Sequence, residues 1–212
     1  MRKSSLKDTF NRFFRKMVWY TNFLAKISNA KRVILNPTEK KEILEAFVPK
    51  VYVTWEILVQ DLLVDCLNRD ISQYAKHKNT KLPRYLSRNV CKSLISGLDY
   101  FNFTDTNDII GKARKILVSQ YNCFDPNHIS KVKDDLKKID EFRKIRNYLA
   151  HYSSDSKQKL LKIYKSNYSL KKFCEPSNFL SAFDKKTNQI RFLNYTKSFF
   201  NAADAMSEFL KV

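Results

Sequence analysis

The sequence predicts an all-α protein: a single helical bundle of about six to seven helices with an N-terminal amphipathic helix. Three observations support this fold class. Only two glycines and five prolines occur in 212 residues, whereas sheets with tight turns need glycine where φ is positive. Long stretches place apolar residues at helical spacing. Several stretches also begin or end with capping signals. We assign residues 1–30 to the amphipathic helix and residues 31–212 to the bundle.

The first helix is predicted from Leu6 to Ile27. Basic residues, including Arg15 and Lys16, lie between its apolar positions. A basic amphipathic helix can lie on a membrane surface, but such a face more often packs on its own domain, so we expect no membrane partner. The predicted packing stripe comprises Leu6, Phe10, Phe13, Phe14, Met17, Thr21, Leu24 and Ile27.

A longer second helix is predicted from Pro37 to about Arg69. Asn36 precedes it as a good capping residue, and proline is tolerated in a first helical turn. Pro49 can kink or split this helix. The densely apolar part from Val51 to Leu67 should be a central core helix, on which Asp65 reads as a surface or capping charge, or as a charge that faces a basic site.

Six further helices are predicted: Arg84–Ser96, Asp105–Ser119, Pro126–Tyr152, Lys157–Lys165, Pro176–Phe183 and Gln189–Leu210. Gly97 is a plausible C-cap for the first of these, and Thr104 or Thr106 an N-cap for the second. Phe101 and Phe103, between the two, should pack on the core.

Charge and composition exclude some functions and favour others. Forty Lys and Arg against 21 Asp and Glu give a formal net charge of +19, which favours a nucleic-acid partner. Two glycines cannot form a P-loop or a Rossmann fingerprint, so both nucleotide-binding motifs are excluded. The four cysteines are widely spaced with no C-x-x-C pair, which is typical of reduced thiols in a cytoplasmic protein.

The helix predicted from Pro126 to Tyr152 carries the leading site candidate. On a wheel of about 100° per residue, four polar side chains fall within an arc of about 140°: Arg143, Arg146, Asn147 and His151. Apolar residues earlier in the helix fall on the same side: Ile129, Val132, Leu136 and Ile139. The sequence therefore predicts an apolar stripe that continues into polar residues. Because desolvating an unpaired polar group is unfavourable, these residues need partners or a function.

These residue types suit acid–base chemistry on an RNA phosphodiester, in which RNA supplies the 2′-hydroxyl nucleophile. Histidine is the natural proton carrier near neutral pH, here His151. The planar guanidinium of Arg146 suits phosphoryl oxygens, and Asn147 can hold the imidazole or the substrate. We expect Arg143 to bind phosphate without taking part in the chemistry. Cleavage needs both an acid and a base, so we expect a homodimer that supplies a second histidine, with no metal and no cofactor.

The segment Arg146-Asn147-Tyr148-Leu149-Ala150-His151 resembles the R-x4-6-H motif of the HEPN superfamily, with the polar residue that often follows the arginine there. Through the core helix that bears Trp55-Glu56, the chain resembles in particular the stand-alone prokaryotic RiboL-PSP-like HEPN domains. The resemblance implies a HEPN-like bundle and a metal-independent endoribonuclease with a composite dimeric cleft. Arg146 and His151 would be the catalytic pair and Asn147 a supporting residue.

HEPN ribonucleases typically act in toxin–antitoxin, phage-defence or RNA-processing systems. The resemblance therefore implies RNA as a partner, with tRNA as a family-level expectation, and an antitoxin or defence-system protein as a further candidate. Two alternatives stay open. A non-catalytic HEPN-like module would bind RNA or a protein partner, or dimerise, through its basic face. A membrane-surface effector would use the helix from Leu6 to Ile27.

Overall fold

The computed structural model describes residues 5–29, 35–97, 102–184 and 187–212. Over these residues the protein is all-α, as predicted, with 77% helix and seven helices of at least seven residues. The helices are α1 (Leu6–Asn29), α2 (Pro37–Arg69), α3 (Ser72–His77), α4 (Arg88–Ser96), α5 (Thr106–Ile116), α6 (Pro126–Ile129), α7 (Lys133–His151), α8 (Ser154–Tyr168), α9 (Pro176–Ser181) and α10 (Arg191–Leu210). Two 3-10 turns lie at Ser119–Tyr121 and Ser130–Val132.

A small antiparallel hairpin, which the sequence did not predict, precedes α10. Its strands β1 (Phe183–Asp184) and β2 (Gln189–Ile190) each contain two residues, and Phe183 pairs with Ile190. The helix predicted from Gln189 therefore begins two residues later, at Arg191.

The start of α2 is a capping box, as the sequence indicated. The Glu39 backbone N–H donates to the Asn36 side chain over 2.9 Å, and the Glu39 carboxylate accepts from the Asn36 backbone N–H over 2.7 Å. These bonds satisfy two donors that the first helical turn leaves without backbone partners. Pro49 does not split the helix, which continues to Arg69.

The caps of α4 and α5 differ in part from the prediction. Gly97 ends α4 as the predicted C-cap, with φ of 57° and ψ of −138°, a backbone conformation that glycine adopts more readily than other residues. The cap of α5 is neither Thr104 nor Thr106 but Asp105, whose carboxylate accepts from the Asp108 N–H over 2.9 Å. Asp105 has the extended backbone that an N-cap needs. Phe103 is buried as predicted, and Phe101 lies outside the described residues.

The helix predicted from Pro126 to Tyr152 is interrupted. Asp125 caps α6, because its carboxylate accepts from the Asn127 N–H over 2.9 Å. The 3-10 turn at Ser130–Val132 follows, and α7 then runs to His151. Tyr152 adopts a left-handed φ of 46° and ends the helix.

The described residues cluster into two compact units. One contains residues of Met1–Phe13, Glu56–Lys133 and Asn201–Val212, and the other contains residues of Phe14–Trp55 and Asp134–Phe200. The helix α1 thus contributes to both units, and its stripe is buried at Leu6, Phe10, Phe13, Met17 and Leu24. None of the helices in the described ranges is long and apolar enough to cross a membrane. The division into residues 1–30 and 31–212 stays a prediction.

In the first unit, Asp65 is a buried charge and not a surface charge. It is 1% exposed and accepts hydrogen bonds from the Thr9 hydroxyl and the Arg88 Nε, each over 2.7 Å. The guanidinium of Arg88 also reaches Asp61, which lies within 3.5 Å of Arg12. The carboxylate of Asp65 therefore pairs with Arg88 within its own unit.

In the second unit, aromatic rings hold the buried side of α7. Phe142 packs against Tyr195 and Phe199 of α10, with ring centroids 5.5 and 5.3 Å apart. One position earlier, the Glu141 carboxylate accepts hydrogen bonds from the Tyr195 and Tyr168 hydroxyls over 2.9 and 3.0 Å. These contacts fix the rotation of α7 about its axis and hence the direction of the motif residues.

Candidate functional site

The buried stripe of α7 does not continue into the motif residues, contrary to the sequence prediction. It runs through Leu136, Ile139, Phe142, Ile145 and Tyr148. Each three-residue step turns about 300°, so the stripe falls about 60° short of a full turn per step. Over its four steps the stripe has moved about 240° around the helix. The last turns therefore bury an apolar side that diverges from the polar motif.

The motif residues consequently lie beside the core. Arg143, Arg146 and Asn147 are half-buried, and His151 is exposed at the last position of α7. A half-buried position keeps the side-chain stem packed while the polar end can reach a ligand. The structure therefore brings the two arginines and the asparagine onto one flank of the helix and leaves the histidine at its end.

Arg146 has an unusual environment. Its Nη1 donates to the Asn147 side-chain oxygen over 3.1 Å. Its Nε is buried and finds no hydrogen-bond partner within the described ranges. Leaving a buried N–H unpaired costs about 1–3 kcal/mol. Within the described ranges the guanidinium of Arg146 is therefore held by one side-chain hydrogen bond, to Asn147.

The arginines of the motif also differ from Arg84 and Arg88 in their charge partners. Within the part of the chain that the structure describes, neither Arg143 nor Arg146 forms an ion pair. By contrast, Arg84 and Arg88 each pair with buried or nearly buried carboxylates of Asp70 and Asp65. Two unpaired guanidinium groups 60° apart on one helix form a local positive charge suited to a phosphate.

Carboxylates surround the end of α7. The Tyr148 hydroxyl donates to Glu175 over 3.3 Å, and burial, followed by the charge of Glu175, raises the pKa of Tyr148. Burial and the charges of Glu45 and Glu42 raise the pKa of Tyr152. Glu45 itself accepts from the Ser177 backbone N–H over 3.0 Å. Two of these three carboxylates, Glu45 and Glu175, thus have hydrogen-bond partners of their own.

Within one copy of α7, the predicted catalytic residues Arg146 and His151 lie apart from each other. Five residues of helix place His151 about 7.5 Å along the axis and about 140° around it from Arg146. Asn147 lies closer in angle to His151, about 40° away and one turn earlier. A histidine and an arginine that act on one phosphate would meet most directly if two copies of α7 faced each other.

A second cluster, of aromatic and basic residues on α1 and α2, was not predicted from the sequence. Trp19, Phe23 and Phe47 stack on one another beside Lys50. The signal in the sequence was the i, i+4 spacing of Trp19 and Phe23, two aromatic residues that lie off the packing stripe of α1. Exposed aromatic residues off the buried stripe of an amphipathic helix are candidates for ligand contacts.

No group of three or more histidine, cysteine, aspartate or glutamate side chains in the described ranges is arranged to hold a metal ion. Comparison of the chain with protein-family models, with curated proteins and with solved structures finds no match.

Proposed function

We propose that the protein is a metal-independent endoribonuclease in which Arg146, Asn147 and His151 act on the RNA phosphodiester. The observation that carries this proposal is the half-buried placement of Arg143, Arg146 and Asn147 on one flank of α7, where neither arginine forms an ion pair within the described ranges. The net charge of +19 supports RNA as the substrate. The resemblance of the motif to that of HEPN ribonucleases supports the reaction type.

The reaction follows from the chemistry of these groups. A histidine removes the proton of the 2′-hydroxyl, whose oxygen attacks the adjacent phosphorus, and the bond from phosphorus to the 5′-oxygen breaks. A second protonated histidine gives its proton to the departing 5′-oxygen. Arg146 stabilises the negative charge that develops on the phosphoryl oxygens, while Arg143 holds the phosphate. The products are a 2′,3′-cyclic phosphate and a 5′-hydroxyl end.

A homodimer supplies the second histidine. Because one α7 separates Arg146 and His151 by about 140° around the axis, two copies of α7 related by a two-fold axis would form the composite site. Arg146 of one copy would then act with His151 of the other. A toxin or phage-defence role, and an antitoxin or defence-system partner, follow from the resemblance alone.

The direct test is RNA cleavage in EDTA. We expect the wild type to release fragments with cyclic-phosphate ends, and we expect His151→Ala and Arg146→Ala to lose cleavage by at least about a hundredfold. His77→Ala is the matched control, because His77 is an exposed histidine in the other unit. The His77→Ala protein should cleave RNA as the wild type does. Intact RNA with the wild type, or equal cleavage by His151→Ala, would exclude the proposal.

Subunit mixing tests the composite site. The reaction uses one His151 from each copy, so a dimer with one His151→Ala subunit lacks either the base or the acid. In an equal mixture of wild-type and His151→Ala subunits, about a quarter of randomly formed dimers are wild type, and we therefore expect about a quarter of the wild-type activity. Activity of about half the wild-type value would show that each copy acts alone and would contradict the composite site.

The second candidate function is a non-catalytic module that binds RNA or a partner. The carboxylates of Glu42, Glu45 and Glu175 around the end of α7 favour it, because they oppose the approach of a phosphate to His151. It predicts RNA binding that survives both Arg146→Ala and His151→Ala, with no cleavage by any variant.

A further inference from the structure

The second unit carries an exposed cluster of stacked aromatic rings on α1 and α2. Trp19 is 55% exposed although it lies within a helix whose apolar stripe is buried. Its ring stacks on Phe23 with centroids 5.2 Å apart and planes inclined by 18°. Phe23 in turn stacks on Phe47 at 5.4 Å and 23°. We call Trp19, Phe23 and Phe47 the ring stack.

The ring stack is supported from below by a buried ring and a polar contact. Phe47 is 5% exposed and belongs to the core of its unit. Tyr20 meets Trp19 and Phe47 edge to face, at 5.5 Å from each, and its hydroxyl lies 3.4 Å from that of Thr54. The Trp19 ring is therefore held in place before any ligand arrives, which lowers the entropy lost on binding.

Three cations border the ring stack. Arg15, Lys16 and Lys50 line, with Trp19 and Tyr20, a shallow cavity of about 450 Å³. The Lys50 Nζ lies 5.5 Å from the centroid of the Phe47 ring. Within the described ranges none of these three cations pairs with a carboxylate, whereas Arg12 on the same helix pairs with Asp61. Positive charge and an exposed ring face thus occur together.

We propose that this surface, the ring stack with Arg15, Lys16 and Lys50, binds single-stranded RNA. An unpaired base would stack on Trp19, and the cations would contact the phosphates on either side. Base stacking on aromatic side chains along a positively charged groove is the general way in which proteins hold single strands. The inference deepens the proposed function, on which it rests for the identity of the ligand, by giving the substrate a binding surface outside the α7 motif.

A membrane surface would use the same residue types, but the burial of α1 favours RNA. Helices that lie on membranes insert a continuous apolar face. The apolar face of α1 is already buried at Phe10, Phe13 and Met17. Within the described part of α1, the exposed large apolar side chains are Val18, Trp19 and Phe23, which do not form a continuous face. A base needs just one ring face, and the three cations that line the cavity beside Trp19 can contact the phosphates on either side of it.

Binding should be measured in the full-length His151→Ala protein, so that RNA stays intact, by fluorescence anisotropy of a short labelled oligouridylate. We expect Trp19→Ala to weaken binding by about five- to a hundredfold and Trp19→Phe to retain most of the affinity. Lys16→Glu and Lys50→Glu should weaken binding and lower the salt dependence. Val18→Ala is the matched control, because Val18 is an exposed apolar neighbour outside the ring stack.

Intrinsic fluorescence provides a second readout. The chain has two tryptophans, and Trp55 is 1% exposed, so quenching by RNA should come from Trp19 and disappear in Trp19→Phe. Unchanged RNA affinity in Trp19→Ala and both charge reversals would overturn the inference. So would Trp19-dependent binding to phosphatidylserine vesicles with RNA affinity unaffected.

The two proposals fail separately. Trp19-dependent RNA binding without cleavage by the wild-type protein would support this surface and exclude the endoribonuclease. His151-dependent cleavage, together with RNA binding that substitutions in the ring stack leave unchanged, would support the endoribonuclease and overturn this surface.

Discussion

Replacing Arg146 by methionine separates a ligand-binding role for this residue from a structural one. Methionine keeps an unbranched apolar stem and removes the guanidinium. A residue retained for a ligand should be replaceable without loss of stability, because functional groups are often held against the preference of the fold. A residue retained for the fold should lose stability when it is replaced.

The structure sets the magnitude. Removing the buried Nε, which has no partner in the described ranges, relieves a penalty of about 1–3 kcal/mol. Removing the Nη1 donor loses the bond to Asn147, worth about 0.5–1.5 kcal/mol. The free energy of unfolding should therefore stay the same or rise by about 1 kcal/mol, while RNA cleavage is lost.

The matched control is Arg88→Met. This substitution leaves the Asp65 carboxylate, 1% exposed, without its cation. Breaking a buried ion pair from one side costs about 3–5 kcal/mol, and the 37% exposure of the Arg88 side chain reduces this to about 2–4 kcal/mol. The same chemical change should thus have effects of different size in the two places.

Urea unfolding, followed by far-ultraviolet circular dichroism, measures both variants against the wild type at constant m value. A loss of more than about 1 kcal/mol in Arg146→Met would refute the reasoning, because the guanidinium would then stabilise the fold. Retained cleavage by a stable Arg146→Met protein would remove Arg146 from the proposed chemistry.

Three further predictions concern titration, thiol reactivity and helix stability. Burial and the charge of Glu141 raise the pKa of Tyr195, so above about pH 10 the unfolded chain binds fewer protons than the folded chain and the free energy of unfolding should fall. Urea midpoints at about pH 9 and about pH 11 measure this fall, which should be smaller in Tyr195→Phe. Burial raises the pKa of Cys91 to about 11, so Ellman's reagent should modify the half-buried Cys174 first and Cys91 only on unfolding. Gly111→Ala should raise the unfolding free energy by about 0.5–1 kcal/mol, because a Cβ there meets nothing within 4 Å; a lower urea midpoint would contradict this.

Local signals were enough for much of the helical layout. The cap at Asn36 and the C-cap at Gly97 could be predicted, because each depends on groups within four residues. The cap of α5 was misplaced by one residue, since Thr104, Asp105 and Thr106 are all able to cap and only the backbone conformation selects Asp105.

At the candidate site, residue spacing predicts the motif but not which side of α7 is buried. The motif residues Arg146 and His151 were found from their spacing, and the half-buried and exposed positions they occupy are compatible with a site. Their predicted continuity with the buried stripe was wrong. Three-residue steps through Phe142 and Ile145 turn the stripe away, and which of two adjacent stripes is buried depends on the helices that pack against α7.

The sequence by itself determined the helical class, most helix ends, the basic charge and the R-x4-H spacing, because these depend on composition and on contacts between near neighbours in the chain. Only the tertiary structure decided that Asp65 pairs with Arg88, that Arg146 Nε stays unpaired among the described groups, and that Phe47 lies under Trp19. These features depend on whether residues far apart in the chain contact each other, and helical periodicity carries no information about such contacts.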